Sequence, residues 1–120
     1  MDSETFVKKL HGFIVAQGIN DDKILFKEGA VADVQDEYWA SASNFFDSLD
    51  EEAKEIFFTI LRQAKVDTTS LILGILDGVM VLEGQEGDFL LSLTDKLGEP
   101  LNGELQSIFL GLEEEGDSFM

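Results

Sequence analysis

A chain of 120 residues, 44% of them hydrophobic, carries enough apolar side chain for one folded core, so it is not a disordered acidic tail. Its 25 Asp and Glu against 8 Lys and Arg give a formal net charge of −17, which argues against nucleic acid and membrane as direct partners because both present anionic surfaces. Cysteine is absent, which removes disulfides, thiol nucleophiles and zinc thiolate sites.

The charge is uneven. Residues 1–65 hold 13 acids and 7 bases, whereas residues 66–120 hold 12 acids and a single base, Lys96. The opening Met1, Asp2, Ser3, Glu4 lacks the basic and apolar regions of a signal peptide, so a cytoplasmic location is expected.

In chain order, Asp2 or Ser3 caps a first helix whose inward face is Phe6, Leu10, Phe13, Ile14 and Gln17, with Val7 at its border and Gly18 as its stop. Ile24, Leu25 and Phe26 read as a short second helix. A third helix over 33–47 follows from Val34, Tyr38, Ala42, Phe45 and Phe46 at helical offsets. Trp39 lies beside that stripe, where it serves either as a packing residue or as an interface anchor.

Ser48 and Glu51 match a capping box, with Asp50 as the alternative cap, and open a fourth helix with Ala53, Ile56, Phe57, Ile60, Leu61 and Ala64 inward. Arg62 and Lys65 complement the dipole in its last turn, and Phe58 lies off the stripe. Residues 68–82 then form an apolar helix, capped by Asp67 or Thr68, that is expected to be the centre of the core. A second reading ends this helix at Asp77 and Gly78 and makes 79–82 a strand paired with 89–94. Glu83, Glu86 and Asp88 fall in a flexible acidic loop. Alternating Phe89, Leu91 and Leu93 predict a strand that returns as a small β-hairpin through Glu99, Pro100 and Leu101. A last helix begins at Asn102 or Gly103 and carries Leu105, Ile108, Phe109 and Leu112. Three glutamates at its end, Glu113, Glu114 and Glu115, oppose the helix dipole, so 113–120 is expected to fray.

Catalytic devices leave little trace. The one histidine, His11, has no nucleophile motif to serve, and no glycine loop ends in Gly-Lys-Ser or Gly-Lys-Thr. No acidic run has EF-hand spacing, and no Glu-x-x-His pair occurs. No cofactor or metal is therefore expected.

The expected fold is mainly α, a single domain over 1–112 with four to six helices around the central apolar helix and a small β-hairpin before the last one. The expected function is a non-enzymatic acidic protein that binds a basic protein partner, either as an inhibitor or immunity-type protein or as an adaptor subunit; a homo-oligomer is compatible with the composition. Candidate contact residues are Glu83, Glu86 and Asp88, then Glu113, Glu114 and Glu115, with Trp39 as an apolar anchor. The alternative is a small hydrolase or metal-assisted enzyme relying on carboxylates, with Asp77 as its candidate because it interrupts an apolar helix.

Overall fold

In the computed structural model, which describes residues 1–28 and 36–117, every regular element is helical. These elements are α1 (Ser3–His11), a π-helical turn (Gly12–Ala16), α2 (Gln17–Lys27), α3 (Glu37–Asp47), α4 (Glu51–Asp77), a 3₁₀ turn (Thr94–Lys96) and α5 (Leu105–Asp117). Residue contacts group the chain into two compact units, residues 13–65 and residues 1–12 with 66–120.

Asp2 caps α1 by accepting from the Thr5 N–H at 2.8 Å, and that hydrogen bond holds its carboxyl below the usual carboxylate range. Gly18 does not stop the helix, which runs on through the π-helical turn to Lys27. The wider turn takes one extra residue and so shifts the helical phase by about 100°. Val15, past the start of that turn, is buried while Phe13, expected inward, is exposed; Val7, ahead of it, is buried as well.

In residues 13–65, α3 is capped by Asp36, whose side chain accepts from the Tyr38 N–H at 2.8 Å. The part of the expected third helix before Asp36, with Val34, lies outside the described residues. Ser48 closes α3 by donating to the Phe45 carbonyl, and Asp50 caps α4 through the Ala53 N–H at 2.8 Å. The core of this unit is Phe26, Phe46 and Phe58, with Ile19, Trp39, Ala42, Leu49, Phe57 and Leu61 packed on it. Ring centroids of Phe26, Phe46 and Phe57 lie 5.1 to 5.4 Å apart. The predicted inward stripe of α4 is met in part: Phe57 and Leu61 pack on the core, but Ile56 and Ile60 are exposed and Phe58, expected off the stripe, is 2% exposed.

The expected fourth helix and central helix are one element, the 27-residue α4. Asp67, Thr68, Thr69 and Ser70 are weak helix formers but include no Gly or Pro, and Thr69 and Ser70 are buried within the helix. Arg62 and Lys65 accordingly stand mid-helix, and Lys65 pairs with Asp22 at 3.0 Å.

Helix α4 ends at Asp77, as the second reading had it, and not at Leu82. Gly78 takes φ +83°, its N–H donates to the Ile75 carbonyl, and the Val79 N–H donates to the Gly74 carbonyl, which is a Schellman ending. The placement of the core on 71–82 is thereby corrected: Leu73 is buried, while Leu71, Ile72, Val79, Val81 and Leu82 are exposed. Buried apolar residues of this unit are Val7, Val66, Leu73, Leu101, Leu105 and Phe109. Helices α1 and α5 pack together; the His11 ring lies 5.4 Å from that of Phe109, and its Nε2 is 2.6 Å from Glu113 Oε2.

No strand occurs among the described residues, so neither the hairpin nor a 79–82 strand forms. One ladder-like bond exists, from the Leu101 N–H to the Leu91 carbonyl at 2.7 Å. The Leu91 N–H instead donates to the Asn102 side-chain oxygen at 2.8 Å, and the Asn102 amide donates to the Phe89 and Leu76 carbonyls. A side chain thus takes the place of a second strand, and it also satisfies one of the carbonyls that α4 leaves open. Helix α5 continues to Asp117, so Glu113, Glu114 and Glu115 are helical and not frayed; residues 118–120 lie outside the described residues.

Candidate functional site

Between α4 and α5 the backbone leaves helical geometry, and the acidic candidates Glu83, Glu86 and Asp88 are all exposed there. The loop is built, not loose. Gln85 accepts from the Leu82 N–H at 3.0 Å through its side-chain oxygen, donates to the Gly87 carbonyl at 2.8 Å, and closes the turn with its own N–H on the Leu82 carbonyl. Gly84 sits inside this turn at φ +84°, a conformation that glycine adopts without a Cβ clash. Flanking the three carboxylates, Val79, Val81, Leu82, Phe89 and Leu90 are exposed as well. One short segment therefore displays carboxylates and apolar side chains together.

The second acidic group divides. Glu113 is half-buried and engaged by His11, while Glu114 and Glu115 are exposed on the same helix. Asp77, the enzyme candidate, has both oxygens committed: Oδ1 accepts from the Gly103 N–H at 2.6 Å and Oδ2 from the Gln106 N–H at 2.8 Å. It is a cap for the start of α5, and anions are favoured at that end of a helix.

Trp39 is half-buried in the unit of residues 13–65. It stands 4.9 Å from Tyr38 and 6.5 Å from Phe26 between ring centroids, and it lines a cavity of about 250 Å³.

Sequence reading placed the exposed acids, missed Gln85, and took Asn102 as a start for the last helix when its side chain bridges Leu76, Phe89 and Leu91. Each is a single amide whose partners are backbone groups, and no motif marks such a role. Among the described residues no group of three His, Asp or Glu side chains is disposed to hold a metal ion, and no helix is long and apolar enough to cross a membrane. No protein-family model, curated protein or solved structure matches this chain.

Proposed function

We propose that this is a non-enzymatic interaction protein that binds a basic protein partner through the turn at residues 79–90. The observation that supports it is the interleaving of exposed Val79, Val81, Leu82, Phe89 and Leu90 with exposed Glu83, Glu86 and Asp88. Carboxylates alone would attract a cation without holding a defined partner, whereas apolar side chains alone would not choose its charge. Complementary fields raise the association rate, and buried apolar anchors set the dissociation rate. A charge of −17 opposes pairing two copies of this turn and favours a partner of opposite sign. An inhibitor or immunity-type protein that covers a cationic surface, or an adaptor subunit, fits this chemistry.

The experiment is affinity capture from the native host followed by stopped-flow kinetics with the purified partner. Glu83→Gln, Glu86→Gln and Asp88→Asn combined should slow association roughly tenfold at low salt and flatten its salt dependence, with little change in dissociation. A partner that is itself acidic, or association indifferent to salt and to these substitutions, overturns the reading.

A further inference from the structure

The aromatic cluster of residues 13–65 already attracts cations. Nζ of Lys54 lies 5.0 Å from the Phe46 ring centroid, and those of Lys27 and Lys23 lie 5.4 and 5.9 Å from that of Phe58. A positive charge over a ring is drawn to the negative face of its quadrupole. Phe26 and Phe57, packed on those two rings, reach a cavity beside Trp39 that Phe46 and Phe58 do not themselves line. It is lined by Phe26, Tyr38, Trp39, Phe45 and Phe57, and Asp22 stands in its wall. Tyr38 is inclined 76° to Trp39 and Phe57 81° to Phe26. Tyr38 and Phe45 are 67% and 57% exposed, which leaves the lining open to an incoming group. Lys65 also borders the cavity, with Nζ 3.0 Å from Asp22 Oδ2.

We propose that this cavity binds one cationic side chain of arginine type, carried by a basic partner protein; the assignment rests on the reading of that partner as basic. A guanidinium is flat and weakly hydrated, stacks on Trp and Tyr faces, and meets a carboxylate through two parallel N–H bonds. Asp22 supplies the carboxylate. Lys65 marks where a cation settles, and as a flexible single-point donor it yields to the two-pronged group. The net charge of −17 favours the approach of a cationic partner to the chain as a whole.

The single tryptophan makes the site its own reporter. Full-length protein is titrated with n-butylguanidinium chloride, and with its uncharged isostere n-butylurea, at constant ionic strength while Trp39 fluorescence is followed. The cation should give a saturable change at millimolar concentration, and the urea should bind about tenfold more weakly. Asp22→Asn and Phe45→Ala should each weaken the cation about tenfold. Phe45 is mostly exposed, so its variant should retain the wild-type helical circular dichroism and keep the test valid if Asp22→Asn fails to fold. Equal binding of the urea, affinity unchanged by Phe45→Ala, or no saturable response overturns the site. Partner association that still depends on the charges of the acidic turn, alongside a failed titration, removes the cavity and leaves the basic-partner reading standing.

Discussion

The two units are held by different means. In residues 13–65 the interior is a set of rings, Phe26, Phe46, Phe57 and Phe58, whose contacts are apolar and depend on volume. In the other unit, long-range side-chain hydrogen bonds do much of the joining: Ser3 to the Leu101 carbonyl, Asp77 to the start of α5, Gln106 to Ser70, and Asn102 to three backbone groups. The end of α4 and the start of α5 exchange caps, since Asp77 receives α5 donors while Asn102 serves an α4 carbonyl. The first unit should be most sensitive to loss of ring volume, whereas the second, which also buries apolar side chains, should be sensitive in addition to loss of a hydrogen-bonding side chain.

The largest expected effect is in the aromatic interior. Phe46 is almost wholly buried, so Phe46→Ala should cost about 3 to 5 kcal/mol, read as a lower urea midpoint by circular dichroism. A loss below about 1 kcal/mol would mean the rings are not closely packed.

Next comes Asn102→Ala, which leaves the Leu91 N–H and the Phe89 and Leu76 carbonyls without that partner and should cost about 1 to 3 kcal/mol. Hydrogen exchange at the Leu91 amide should accelerate in the same variant. Unchanged exchange there would show that the side chain does not stand in for a strand, and the contrast between the units would weaken.

Glycine substitutions give the finest distinction. A Cβ at Gly74 would lie 2.6 Å from Met80 Cε, which can swing aside, and 2.7 Å from Gln106 Nε2, which is held on the Ser70 carbonyl, so Gly74→Ala should displace that hydrogen bond and destabilise by about 1 kcal/mol. At Gly18 the nearest atoms belong to the Lys65 side chain at 3.5 Å, an ordinary contact, so Gly18→Ala should stabilise by about 0.5 to 1 kcal/mol through helix propensity. Thermal midpoints moving in the same direction for both would erase the distinction.

The predominance of helix, the cap at Asp2, and the exposure of Glu83, Glu86 and Asp88 were legible because they depend on neighbours within a turn of chain, and the cap of α4 was legible only as the alternative, Asp50 in place of the Ser48 capping box. The phase of the buried face was not. Ile56 and Ile60 are as apolar as Phe58, and only the rings of Phe26 and Phe46 decide which of them points inward. Alternation at Phe89, Leu91 and Leu93 resembled a strand, but a strand needs a partner, and that place is taken by Asn102, eleven residues beyond Leu91. Asp77 was recognised as an anomaly in an apolar helix; its purpose became visible only once Gly103 and Gln106 came within reach.

Gln85 carries no charge, yet it governs how the three carboxylates around it can be used. By bonding to Leu82 on one side and Gly87 on the other, it fixes the backbone of the turn before any partner arrives. Ordering a free loop during association costs about 1 to 2 kcal/mol per residue, and here much of that loss of freedom already belongs to folding. On the reading proposed above, a basic partner would meet a fixed template, and less of the attraction between opposite charges would be consumed in shaping the surface that receives it.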